Sequence, residues 1–318
     1  MLRKVLLTSP RGYCAGVERA VETVERSLEL YGPPVYVRKQ IVHNLHVVRE
    51  LEGRGAIFVD DEREVPEGAT VVFSAHGVAP SVHENALARS LRTIDATCPL
   101  VTKVHTQARR YAAQGYTIIL IGHAGHEEVV GTMGEAPGSI VLVESPEHVE
   151  QLSFPEGTRL AYITQTTLSV DETGEMIAAL RARFPEIHAP RKEDICYATS
   201  NRQWAVKEML PEIDLLLVVG SRNSSNSNRL VETARGNGVE SHLIDDRSEI
   251  DEAWLDGVEV VGITSGASAP ELLVEGVVEW FRERGVTDIS PYRLVEEDVE
   301  FRLPVELRRE LSLAESQG

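Results

Sequence analysis

Cys14, Cys98 and Cys196 are the three cysteines of this 318-residue chain, and each occupies the same place in a recurring pattern. A short apolar stretch ends in small or polar residues, the cysteine follows, and a helical periodicity starts at once. After Cys14, AGVERAVETVERSLELY puts Val17, Val21, Val24 and Leu28 on one face before Gly32-Pro33-Pro34 stops it. After Cys98, Pro99 suits the first helical position and Gly115 closes the run, while the pattern after Cys196 ends near Pro211. Scattered cysteines are most often unrelated buried thiols. Three in phase are not explained that way. Helix N-termini favour the thiolate, the form that binds metals, so three converging thiolates would make a soft tripod. Two occupants fit: a zinc ion, or a cubane iron-sulfur cluster whose fourth iron stays open to a ligand. The local C-x-x-C pattern of electron-carrier ferredoxins is absent, which disfavours a pure electron carrier.

Polar strand-end loops recur in the same phase. His43, His126 and Ser224 follow the three cysteines at near-equal offsets, and His76, Thr166 and Ser268 form a second such set. Histidine can donate a hydrogen bond, carry charge near neutral pH or shuttle a proton, and His43, His76 and His126 share the strand-end position where that would matter. His83, His105, His148, His188 and His242 are read as structural. NSSNSN (223–228) and SGASAP (265–270) put donor side chains, Ser224, Ser225, Asn226 and Ser268 among them, at helix starts without lysine, as an anion cradle for phosphate requires. Neither is a Walker loop, and no G-x-G-x-x-G follows a strand. Glu127 and Glu128 point apart because they are adjacent; the one facing the centre, beside Thr166, could pass a proton to a leaving hydroxyl.

Several elements must position these groups. TVVFSAHG, TIILIGHAGH, RLAYITQTT, LLLVVGSRNSSN and VVGITSGASA are strand-like runs, each followed by a helical pattern, the alternation of a parallel α/β fold that binds ligands off its strand carboxyl ends. The expected fold is α/β: three similar parallel-sheet lobes around a pseudo-threefold axis with a central iron-sulfur site. The lobes span 15–98, 99–192 and 193–285, the third completed by 1–14, and 286–318 form a C-terminal extension. Within that extension VEFRLP reads as a strand and SLAESQG as a frayed end.

Charge and composition narrow the partners. A net charge of −18 and 5% aromatic residues leave neither a basic footprint nor stacking platforms, so nucleic acid is excluded. No eighteen-residue apolar stretch and no secretory signal is present, so a cytoplasmic location away from membranes is expected.

PRGYCAGVERAVE, VHN, FSAHGV, DATCPLVTKVH, GHAGHEEVVGTMG, TQTTLSVDET, RKEDICYATSNRQ, VVGSRNSSNSNRL and SGASAPELL, in this order from about Leu6 to Leu273, together resemble the 4-hydroxy-3-methylbut-2-enyl diphosphate reductase (IspH/LytB) family. The resemblance implies an iron-sulfur oxidoreductase. Its reaction is reductive dehydroxylation of an allylic diphosphate to isopentenyl and dimethylallyl diphosphate, the last step of the non-mevalonate (MEP/DOXP) route to isoprenoids. It implies one 4Fe-4S cluster held by Cys14, Cys98 and Cys196 with one open iron. It implies diphosphate binding by His43, His76, His126, Ser224, Ser225, Asn226 and Ser268, and hydroxyl orientation and proton delivery by Thr166 and Glu128. It also implies a ferredoxin or flavodoxin as electron donor. Where the family commonly reads His-Pro-Glu this chain has His126-Glu127-Glu128, so retained spacing assigns the proton to Glu128. Two other functions use the same residues: a zinc-dependent hydrolase of a small phosphorylated metabolite, and a non-catalytic iron-sulfur sensor.

Overall fold

The structure is a computed structural model that describes residues 2–316. Met1, the first residue of the third expected lobe, and Gln317 and Gly318, the last of the expected frayed end, lie outside the described residues. In chain order the elements are β1 (Lys4–Ser9), α1 (Ala15–Tyr31), β2 (Val35–Arg38), α2 (Leu45–Gly53), β3 (Ala56–Val59), β4 (Thr70–Phe73), α3 (Pro80–Ala88), β5 (Arg92–Asp95), α4 (Pro99–Ala113), β6 (Thr117–Ile121), α5 (Glu127–Gly134) and β7 (Ile140–Val143). They continue as α6 (Pro146–Gln151), β8 (Leu160–Thr164), α7 (Val170–Arg183), α8 (Tyr197–Met209), β9 (Leu215–Val219), α9 (Ser225–Gly236), β10 (Glu240–Ile244), β11 (Val260–Ser265), α10 (Glu271–Glu283), β12 (Asp288–Arg293) and α11 (Val305–Glu315). The strands form three sheets, ordered β10-β9-β11-β1-β12, β3-β2-β4-β5 and β7-β6-β8, and every pairing is parallel. This is the α/β class expected from the alternation of strand and helix patterns.

Two compact units divide the chain. The first takes Met1–Val17, His43–Val47 and Cys196–Glu300 and holds the five-stranded sheet. The interior strand β9, LLLVV, is buried throughout because both faces are covered. Leu215, Leu217 and Val219 pack with Val5, Ile263 and the α10 residue Phe281, while Leu216 and Val218 point the other way onto Met209 of α8 and Leu230 of α9. Each such side chain contributes about 1.5–3 kcal/mol on burial. β12 adds itself beside β1, from Asp288 opposite Lys4 to Arg293 opposite Ser9.

The second unit takes Glu18–Val42, Val48–Ile195 and Phe301–Gly318 and holds the other two sheets. Val71 and Phe73 of β4 pack with Val78, Val82 and Ala86 around α3. In β6, Ile118 and Leu120 face Val104, Ala108 and Tyr111 of α4, and Ile119 and Ile121 face Met176 and Leu180 of α7. VEFRLP (299–304), expected as a strand, forms none. Its backbone is held by a side chain instead of a ladder, with Arg19 Nε donating to the Arg302 carbonyl at 2.7 Å, and Pro304 then starts α11. Of the tail expected to fray, residues through Glu315 are helical.

Candidate active site

Apart from Cys196, which follows α7 and a loop, the residues singled out by chemistry follow the carboxyl ends of strands, where a parallel sheet offers its loops to a ligand. In the first unit β1 leads to Cys14, β9 to Ser224 and Asn226, and β11 to Ser268. A continuous chain of hydrogen bonds connects the two cysteines of this unit. Cys196 is the N-cap of α8, and its sulfur accepts from Thr199 N at 3.4 Å and lies 3.2 Å from Thr199 Oγ1. Asn226 Nδ2 donates to Thr199 Oγ1 at 3.2 Å, and Asn226 Oδ1 accepts from Ala267 N at 2.9 Å. The Ala267 carbonyl in turn accepts from Cys14 N at 3.2 Å. Burial pushes the Tyr197 phenol up, and the Cys14 and Cys196 thiols add to that push, so its hydroxyl stays neutral.

Beside this chain lies the helix start of α9. Ser224 caps it, its Oγ accepting from Ser227 N at 3.3 Å and from Ser227 Oγ at 3.0 Å, which leaves the Ser224 hydrogen to donate. Ser227 is fully buried against Gly220 and Gly266, where a Cβ at either glycine would collide with Ser227 Oγ. The two strand-end backbones therefore close directly onto the first turn of α9. Ser268 Oγ donates to the His43 carbonyl at 2.9 Å, and Asn223 Nδ2 stands 3.3 Å from His43 Nδ1. Burial holds the His43 imidazole down to about 4, so it is neutral at pH 7, and an acceptor role for Nδ1 toward the amide leaves the ring hydrogen on Nε2.

The second unit supplies Cys98, His76, His126, Glu128 and Thr166. Cys98 is the N-cap of α4, and its N–H is taken by the Ala75 carbonyl at 3.0 Å. Glu128 is 2% exposed, and both its oxygens grip one residue: Oε1 accepts from Thr166 N at 2.6 Å and Oε2 from Thr166 Oγ1 at 2.9 Å. Burial raises the Glu128 carboxyl to about 7 against the lowering effect of the two Thr166 hydrogen bonds, with the Asp194 charge adding to the rise. His126 Nδ1 accepts from Glu128 N at 3.2 Å as the cap of α5, again placing the hydrogen of the neutral ring on Nε2. The His76 ring meets the His126 ring edge-on, with centroids 5.8 Å apart. Glu127 turns outward to Lys39 at 3.7 Å and Arg38 at 3.9 Å, so Glu128 is the inward carboxylate of the pair.

The three cysteines form no disulfide among the described residues, are partly buried, and each immediately precedes a helix. Among the described residues no three His, Cys, Asp or Glu side chains are gathered as ligands for a single metal ion.

The sequence profile of the LytB protein family matches residues 5–282. The chain belongs to the LytB family. Among its relatives, the 4-hydroxy-3-methylbut-2-enyl diphosphate reductase of Acidothermus cellulolyticus is 64% identical over 310 residues, covering 97% of this chain and 91% of the relative. That of Rhodococcus opacus is 59% identical over 307 residues, covering 96% and 91%. The solved E-1-hydroxy-2-methyl-but-2-enyl-4-diphosphate reductase from Plasmodium falciparum superposes with a TM-score of 0.96 at 38% identity, covering 100% of this chain and 99% of that one. A zinc-dependent hydrolase, the other chemistry open to three thiolates, finds no support among these LytB relatives.

Within this LytB chain the structure joins Cys14, Cys196, Asn226, Ser268 and His43 in one unit, and His76, His126, Glu128 and Thr166 in the other. Sequence reasoning overlooked Thr199, which links Cys196 to Asn226; its place three residues after a capping cysteine was the available signal. It also overlooked Asn44, fully buried, whose Oδ1 accepts from Val47 N at 3.1 Å and whose Nδ2 has no partner. Two of the histidines read as structural lie against other side chains. His105 Nδ1 pairs with Glu135 at 2.8 Å, and His242 stacks on Trp254 with centroids 3.7 Å apart.

Proposed function

We propose that this chain is an iron-sulfur oxidoreductase that removes the hydroxyl of 4-hydroxy-3-methylbut-2-enyl diphosphate, giving isopentenyl and dimethylallyl diphosphate, the last step of the non-mevalonate route. The observation that carries the reading is the buried Glu128–Thr166 pair in a chain with LytB reductase relatives along nearly its whole length. In balance, the allylic alcohol takes up two electrons and two protons, the C–O bond breaks, a C–H bond forms, and water leaves.

Cys14, Cys98 and Cys196 would hold one 4Fe-4S cluster with one open iron. Their donor chemistry fits that group, and the Cys196 sulfur already accepts a hydrogen bond from Thr199 N, as a thiolate ligand does. When bound, the cluster supplies electrons and a Lewis-acidic site for the substrate oxygen.

The chain's own residues do the rest. The α9 N-terminus with Ser224, Ser225 and Asn226 offers donors and the positive end of a helix dipole to the diphosphate, joined by Ser268 and by the Nε2–H groups of His43 and His126, with His76 beside the latter. Neutral donors suit this task, because a −18 chain gains little by long-range attraction and must bind the anion locally. Thr166 Oγ1 hydrogen-bonds the substrate hydroxyl, and Glu128, held half-protonated near pH 7, passes its proton through Thr166 to the departing oxygen. A ferredoxin or flavodoxin delivers the electrons, and the reaction takes place in the cytoplasm. No described helix is long and apolar enough to cross a membrane.

The test is anaerobic purification with iron and sulfide analysis, followed by turnover of the allylic diphosphate with dithionite-reduced methyl viologen. The reading expects about four irons and four sulfides per chain and both C5 diphosphates as products. A cluster-loaded chain that forms neither product would overturn it and favour a sensor.

A further inference from the structure

Each turnover consumes two electrons, and the sequence offers no dinucleotide fingerprint from which to draw them. They must arrive from another molecule. Small electron-carrier proteins are commonly acidic, and a chain of net charge −18 repels them unless one face reverses the sign.

One face does. Among the described helices, α4 alone carries basic residues, Lys103, Arg109 and Arg110, and no acidic one. A groove of about 420 Å³ runs along it, walled by Pro99, Thr102, Lys103, Thr106 and Arg110 on the helix and by Arg191 across from it, and no acidic side chain lines it. Arg110, Arg191 and Lys192 are exposed. The acids nearby are mostly withdrawn from solvent. Glu135 is 4% exposed and bound to Arg109 at 2.6 Å, and Asp194, with no exposed side-chain surface, pairs with Lys103 at 3.0 Å; only Glu193 is exposed. Lys103 Nζ also donates to the carbonyls of Lys192 at 3.1 Å and Glu193 at 2.6 Å, which fixes the Arg191–Lys192 strip alongside α4. The groove ends at Pro99, the residue after Cys98.

We infer that this α4 face is the docking surface of the electron donor, an acidic ferredoxin-type carrier that would deliver its electrons beside Cys98. The inference rests on the reductase reading and deepens it by naming where the donor binds. The acidic face of such a carrier complements Arg110, Arg191 and Lys192 without a matching apolar patch.

The experiment uses cluster-loaded enzyme carrying Arg110→Glu with Arg191→Glu, and a milder Arg110→Gln with Arg191→Gln pair. Both are assayed anaerobically with reduced acidic [2Fe-2S] ferredoxin and, separately, with reduced methyl viologen. The expected result is a KM for ferredoxin raised about 10-fold or more by charge reversal and less by neutralisation, with viologen-driven turnover unchanged. The wild-type KM for ferredoxin should rise with salt while that of the reversed variant should not. An unchanged ferredoxin KM, an equal loss with both donors, or a loss seen only when flavodoxin replaces ferredoxin would each overturn the assignment. Failure of the wild-type enzyme itself to turn over with viologen would mark the reductase reading, not the docking face, as the first error, and would overturn both.

Discussion

Thr166 occupies both oxygens of Glu128, its N–H on Oε1 at 2.6 Å and its hydroxyl on Oε2 at 2.9 Å, in a pocket that leaves the carboxyl 2% exposed. A carboxylate so held is both desolvated and hydrogen-bonded, and the first effect is the larger, placing its pKa at about 7. The folded value lies above the unfolded one, so this group contributes no penalty below about pH 4.5 and destabilises the fold progressively as pH rises toward 7. The full cost is about 3 kcal/mol. Glu128→Gln should therefore gain stability over wild type at pH 8 and lose that advantage at pH 4.5, as measured by urea unfolding. Equal differences at both pH values would contradict the buried, half-protonated carboxyl.

His43 presents the opposite sign. Its pKa is depressed to about 4 by burial, so the stability tied to its neutral form is fully present above about 6.5 and is lost as pH falls toward 4. His43→Gln, which keeps an N–H donor near the ring position, should flatten the acid limb of the stability curve while raising the KM for the diphosphate several-fold. An acid limb as steep as that of wild type would show the imidazole to be solvated.

Asn226 straps two loops together, donating to Thr199 and accepting from Ala267 N, and through them it touches the cysteine-bearing segments. Asn226→Asp keeps the acceptor for Ala267 N but removes the donor and sets a negative charge in the anion cradle. The KM for substrate should rise about 10-fold or more, with folding stability changed by no more than about 1–2 kcal/mol. A KM equal to that of wild type would remove Asn226 from the diphosphate site.

The strand-end positions of Cys14, Cys98, Ser224 and Ser268 were legible because an apolar run, a small polar loop and a helical period mark a parallel α/β crossover in one dimension, whereas Cys196 shares only the helix start, since α7 and a loop precede it in place of a strand. The inward turn of Glu128 was not. Adjacent residues at a helix start carry no periodic signal, and the choice is made by tertiary partners: Arg38 and Lys39 draw Glu127 out while Thr166 draws Glu128 in. Thr199 was hidden because its role, bridging Cys196 to Asn226, needs the contact between α8 and α9. VEFRLP misled because its apolar and polar residues alternate like a strand, whereas Arg19 takes one of its carbonyls and Pro304 supplies no N–H for a ladder.

The most direct test of the central claim is single-turnover reduction by cluster-loaded Glu128→Gln beside wild type, with iron and sulfide measured on the same samples. Equal cluster content is expected, with product formation slowed at least about 100-fold, since the glutamine preserves shape and cannot release a proton. Wild-type rates from a variant with an intact cluster would show that the proton comes from elsewhere and that the Glu128–Thr166 pair is only structural.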